Sequence, residues 1–236
     1  MPNVHSSKQY DLELDMIQSK VLAMGGLVES QFHDAMACFR SGDIVQAEQV
    51  IKGDDAVNQL EVALDDACSR LIVRRQPTAN DLRIVMSTGN IITDLERIGD
   101  EASKIARAAK SIKERERDAV ILNHFETVRV IAANTSSMLH DTLDALARLD
   151  KKQAILVIAQ DDGVDYEFRS IMRNLITFMM EDPRTISIAL DTLWVAKAIE
   201  RIGDHAKNIA EYVIYIVEGK DIRHTDYAAA NKDSVG

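Results

Sequence analysis

The sequence predicts an all-α protein of six long helices forming two tandem, duplicated three-helix bundles. Three observations carry this. Apolar residues recur at alternating three- and four-residue steps along almost the whole chain. Only 10 Gly and 3 Pro occur in 236 residues, with 28% charged residues, a composition that favours long helices over a loop-rich β protein. The pentapeptide Glu-Arg-Ile-Gly-Asp occurs twice, at Glu96–Asp100 and Glu200–Asp204, inside a longer ungapped match of Leu82–Arg107 with Ile186–Glu211.

The duplication sets the order of elements. At a separation of 107, His33-Asp34 matches His140-Asp141, Asp43 matches Asp150, and Asp54-Asp55 matches Asp161-Asp162. Pro77 matches Pro183, so the halves differ only by small loop insertions. The repeat is domain-sized rather than the 20–50 residues of a solenoid unit. It divides the chain into a first three-helix repeat at 1–114 and a second at 115–236, the latter with a frayed tail after Arg223.

In the first half, helical patterns run through Leu14–Phe39, Ile44–Val73 and Ile91–Ile112. Ser41-Gly42-Asp43 ends the first helix and caps the second, and Gln76-Pro77-Thr78 separates the second from the third. In the second half the patterns cover Ile121–Leu149, Ile155–Met180 and Val195–Ile216, interrupted at Arg148-Leu149-Asp150 and Asp182-Pro183. Short turns make successive helices antiparallel, an up-down-up layout in each half.

Composition bounds the function. The formal charge of −10 argues against binding nucleic acid. Cys38 and Cys68 lack metal-type spacing and read as small buried thiols in a reducing compartment. Met1–Gln9 is polar without a signal-peptide core, and no apolar run reaches the roughly 18–20 residues of a membrane span, so a soluble cytoplasmic protein is expected. A glycine-rich phosphate loop, a Gly-x-Ser-x-Gly elbow, paired cysteines and the Glu-x-x-His pairs of di-iron bundles are all missing, which argues against an enzyme.

The carboxylates carry the chemistry. Glu96 and Asp100 lie four residues apart on one helix flank, as do Glu200 and Asp204, and like charges so placed repel by a few tenths of a kcal/mol. Gly99 and Gly203 each cost about 1 kcal/mol relative to Ala in a helix interior. A bound cation or a close backbone approach would compensate for these costs. On the preceding helix of the first half Asp54, Asn58, Glu61 and Asp65 share a face, matched in the second by Asp161 and Asp165. Antiparallel packing would turn these acids toward Glu96/Asp100 and Glu200/Asp204. Carboxylate sites select hard cations such as Mg, Ca, Mn or Fe over zinc. The alternative is a solvated acidic face with Arg97 and Arg201 in salt bridges. His33 and His140 read as helix-terminal or packing residues. His205 stands where the first repeat has Glu101 and belongs to no shared site. Trp194, opposite Asn90 in the repeat, is expected to pack in the bundle or at a subunit contact.

Gln76–Arg83, Leu95–Ala102 and Ile199–Ala206 resemble signature segments of the PhoU family of bacterial phosphate-signalling regulators, as do the stretches around Met24-Gly25-Gly26, Met138–Asp141 and Met179–Asp182. The resemblance runs from Leu12 to Arg223. It implies two three-helix bundles, homodimerisation, and metal clusters held by acidic motifs on neighbouring helices. It also implies a cytoplasmic role linking the ATPase of the phosphate ABC transporter to a phosphate-sensing histidine kinase and repressing the phosphate-starvation response when phosphate is abundant. Glu96, Asp100, Glu200 and Asp204 match the motif positions, with Asp161 and Asp165 as partners in the second half and Asp54 and Asn58 in the first. Asn58 departs from the usual carboxylate, so the first site is expected to be the weaker for divalent or ferric ions. No phosphate pocket is recognisable, so the regulator is expected to read the transporter's state by contact. A metal-dependent hydrolase of phosphorylated compounds is the rival reading.

Overall fold

The computed structural model describes residues 8–115 and 121–223. Six helices follow in order: α1 (Lys8–Ser41), α2 (Ile44–Arg75), α3 (Ala79–Arg115), α4 (Ile121–Arg148), α5 (Lys151–Glu181) and α6 (Ile186–Glu218). No strand occurs among the described residues. The tail expected to fray after Arg223 lies outside them.

The breaks follow from turn chemistry, and the duplication repeats them. Gly42 takes the left-handed conformation after α1, and the Asp43 carboxylate then accepts from the Gln46 N–H at 3.1 Å to cap α2. Asp150 caps α5 in the same way, accepting from Lys152 and Gln153. Leu149 holds the left-handed backbone that Gly42 holds in the first half, a conformation costing a side chain roughly 1–2 kcal/mol. Pro77 prevents α2 from continuing. At the equivalent Pro183, a one-turn 3₁₀ helix (Pro183–Thr185) leads into α6.

The two bundles are not separate. α3 and α6 run antiparallel to each other along their whole length. Arg83 donates to the Ile216 carbonyl at 3.1 Å, Asp94 meets His205 at 2.8 Å, Glu101 meets Arg201 at 2.9 Å, and Arg115 donates to Ser187 at 2.9 Å. α1 also packs on α4, where Glu29 meets His140 at 2.9 Å. One core therefore spans both halves, from Met24, Phe32 and Leu64 through Ile98 and Ile105 to Met138, Ile199 and Ile209. Each such side chain contributes about 1.5–3 kcal/mol on burial.

Two local expectations, those for His33 and His140, are corrected. His33 is exposed and eight residues from the end of α1, so it neither packs nor sits at the helix terminus, and its ring lies 3.5 Å from Asp34. His140 is likewise exposed and serves an ion pair. Trp194 is 70% exposed, so of its two expected places it does not take the one inside the bundle. Cys38 and Cys68 are buried free thiols.

The α2–α3 and α5–α6 contacts close tightly at the repeated glycines. A Cβ on Gly203 would stand 3.3 Å from Val164 Cγ1, whereas one on Gly163, on the exposed face of α5, would meet nothing within 4 Å. Gly163→Ala is therefore expected to stabilise the protein by about 0.5–1 kcal/mol. Gly203→Ala should gain nothing or lose, because β-branched Val164 is fixed in its helix. Urea unfolding of both variants checks this, and equal gains would show that the helices are not in close approach.

Candidate metal centre

Antiparallel packing of α5 on α6 turns three second-half acids toward one point. Asp165, the buried Glu200 and Asp204 each offer one carboxylate oxygen, all within 4.8 Å of one another. No other three acidic, His or Cys ligand atoms gather so tightly among the described residues. Asp161, expected in this group, is buried one turn away and is held instead by Lys207 Nζ at 2.6 Å. Lys197 bonds Glu200, and Arg169 lies 3.6 Å from Asp165.

These cations do not neutralise the cluster. Burial raises the Asp204 carboxyl from its ordinary 3.8 to about 6, and the charges of Glu200 and Asp161 add to the effect. Two unit charges at 4 Å interact by about 4 kcal/mol where the effective dielectric constant is 20, so crowding here is costly. The donors are carboxylate oxygens alone, the set that suits hard cations.

The first half is assembled differently. Burial raises the carboxyls of Asp54, Glu61 and Glu96, and each of the three also feels the charge of Asp100. Glu61 thus joins Asp54, Glu96 and Asp100, one turn along α2 from Asn58. The Asn58 Oδ1 is buried without a hydrogen-bond partner. Lys197 and Lys207 correspond to Thr93 and Ser103, and the cation that acts on Asp54 is instead Arg107. Gln31, which sequence reasoning did not single out, donates from Nε2 to Asp54 Oδ1 at 3.4 Å. Its signal was its place on an otherwise apolar stripe, at the position of Met138 in the repeat.

The arginines of the two motifs differ. Arg201 pairs with Glu101 across the α3–α6 contact rather than with its neighbouring acids. Arg97 is exposed, and its charge partly offsets the rise at Glu96 and Glu61.

A carboxyl raised to about 6 makes metal-free stability fall as pH rises from near 4 to near 6, because the native state then holds a proton that the unfolded chain releases. Above that range the charged Asp204 is a full burden. Asp204→Asn is therefore expected to stabilise chelator-treated protein at pH 7.5 by about 1 kcal/mol, a figure discounted for its partial exposure. The gain should vanish below pH 4. Added Mn²⁺ should raise the melting temperature of the wild type more than that of the variant. Thermal melts across this pH range give the answer, and a gain independent of pH would remove the crowding argument.

The comparisons extend over nearly the whole chain. The family model for the PhoU domain matches twice, at residues 21–109 and 128–213. A phosphate-specific transport system accessory protein PhoU homolog of Pseudomonas aeruginosa is 46% identical over 220 residues, covering 93% of this chain and 90% of the relative. The protein of that name from Escherichia coli is 44% identical over 237 residues, covering 98% and 97%. The crystal structure of PhoU from Pseudomonas aeruginosa superposes with a TM-score of 0.85 at 45% identity, over 89% of this chain and 100% of that one. A repeated helical signature, a shared six-helix fold and near full-length identity of this order place the chain in the PhoU family.

Proposed function

We propose that this chain is a cytoplasmic, homodimeric regulator of phosphate uptake. It engages the ATPase of the phosphate ABC transporter and a phosphate-sensing histidine kinase, and it represses the starvation response when phosphate is abundant. The observation that carries this reading is the near full-length similarity to proteins named as accessory to the phosphate-specific transport system. No helix among the described residues is long and apolar enough to cross a membrane, which accords with action from the membrane's edge through protein contact. The net charge of −10 repels phosphate and supports sensing through the transporter rather than by direct binding.

The acidic clusters fit this role as cation sites. Asp165, Glu200 and Asp204 would hold a hard divalent or ferric ion, Fe, Mn, Mg or Ca, with Asp161 beside them. Asp54, Glu96, Asp100 and Asn58 would hold one in the first half. A bound ion would cancel the repulsion between α5 and α6 at the place where Gly203 already brings them close. Clustered carboxylates are also what a metal-dependent phosphatase uses, so phosphate-ester turnover with added Mn²⁺ that is lost in Asp204→Ala would favour an enzyme instead.

The decisive experiment joins a deletion strain carrying a phosphate-starvation promoter reporter with pull-downs against the ATPase and the kinase. Deletion should leave the promoter active in phosphate-rich medium, and both partners should be captured. A repressed promoter with neither partner captured overturns the reading. Metal content of protein purified without chelator should fall by at least one equivalent per chain in Glu200→Ala/Asp204→Ala. No metal in either protein would leave a solvated acidic face.

A further inference from the structure

The two halves share one template, so differences beneath the acidic clusters are informative. In the second half the residue of α4 nearest Gly203 is Met138, whose sulfur lies 3.9 Å from where a Cβ would stand. The repeat places Gln31 of α1 at that position in the first half. Gln31 is 6% exposed, so a primary amide sits among Val28, Phe32, Ala35 and Val57.

One end of this amide is satisfied. Nε2 donates to the Val50 carbonyl at 3.3 Å and to Asp54 Oδ1 at 3.4 Å. Turning the amide over would set its oxygen against both acceptors, so the partners fix its orientation. The other end, Oε1, is buried and accepts nothing. An orphaned buried acceptor costs about 1–3 kcal/mol.

The position of Oε1 is informative. It lies 3.2 Å, and Asp54 Oδ1 lies 3.4 Å, from the point a Cβ on residue 99 would occupy. Both oxygens therefore line one recess over Gly99, between Glu96 and Asp100 in the chain. The Asn58 Oδ1, one turn along α2 from Asp54, is a second buried acceptor without a partner. Two neutral oxygens with unused lone pairs thus belong to this face, one over Gly99 between Glu96 and Asp100 in the chain, the other on α2 between Asp54 and Glu61. Mixed carboxylate and amide oxygens are the ligands of hard divalent cations.

We propose that Gln31 Oε1 is a ligand of the first-half cation site, making it a three-helix site built from α1, α2 and α3. The second-half cluster draws on α5 and α6 alone. This rests on the cation reading above, and the experiment separates the two.

Mn²⁺ is titrated into the full chain carrying Glu200→Ala/Asp204→Ala, with free Mn²⁺ followed by electron paramagnetic resonance, so that only the first site reports. One equivalent should bind. Adding Gln31→Met, which installs the residue the second half already accommodates, should weaken that site at least tenfold. The same substitution in an otherwise wild-type chain should leave the second site within twofold of its original affinity. Gln31→Glu should lower the metal-free melting temperature, through repulsion with Asp54, yet bind Mn²⁺ at least as tightly as the parent. If Gln31→Met binds within twofold of the parent while Asp54→Asn abolishes binding, Gln31 is no ligand and the cation reading survives. Loss of Mn²⁺ binding in Gln31→Glu, with its fold intact by circular dichroism, also sinks the proposal. If the wild type binds no Mn²⁺ at all, both readings fall.

Discussion

The antiparallel contact of α3 with α6 is the constraint on which the rest of the structure depends. Each of these helices packs on two helices of its own half and on the other across the joint, so each is buried around most of its circumference. Polar groups in that joint must be paired or they cost several kcal/mol. Glu101, 3% exposed, is held between Lys104 and Arg201. Its repeat equivalent, His205, meets Asp94, which also accepts from Asn208. Near the middle of the joint, one contact thus places an acid among cations, and the next, two turns along, places a histidine and an amide around an acid. Buried pairs of this kind define one register and one orientation for two otherwise similar halves.

The acidic clusters are tied to this joint by helix geometry. Asp100 precedes Glu101 and Asp204 precedes His205, about 100° around the same helix. A helix turns as a rigid body, so a rotation of α6 that moves Asp204 relative to Asp165 also moves His205 against Asp94. The cost of crowding at the clusters and the pairing at the joint are therefore borne by the same backbone.

Most of the fold was legible because helical periodicity and duplication are both written in residue order. The caps at Asp43 and Asp150 and the prolines at 77 and 183 marked the boundaries, while the left-handed Leu149 shows the repeat keeping a backbone shape after losing the glycine that suits it. Periodicity reports that a face is buried but not by what, so the single core shared by both halves was not visible. A histidine beside an apolar stripe reads alike whether it packs or faces solvent, so the pattern did not show that His33 and His140 stand in solvent rather than at a packed or helix-terminal place. The acids of the second-half cluster were legible from spacing. The pairing of Asp161 with Lys207 was not, because Lys207 lies outside the repeated pentapeptide and has only Ser103 as its equivalent. Gln31 was hidden for the opposite reason, as a single polar residue inside an apolar pattern.

Duplication followed by divergence explains why the two ends of the molecule can act differently. The antiparallel joint sets the start of α3 and the start of α6 at opposite ends. Leu82 and Met86 are exposed at one, and their equivalents Ile186 and Leu190 at the other. The next position along each stripe is Asn90 in α3 and Trp194 in α6. A surface tryptophan offers a large, rigid apolar contact area, whereas asparagine offers little. Beneath these faces the second half carries lysines beside its acids, and the first carries orphaned amide oxygens. The order of helices and the turn before the second helix of each half are kept while surface and buried charge have diverged, so a partner or an ion meeting the two ends meets one helix plan with two chemistries.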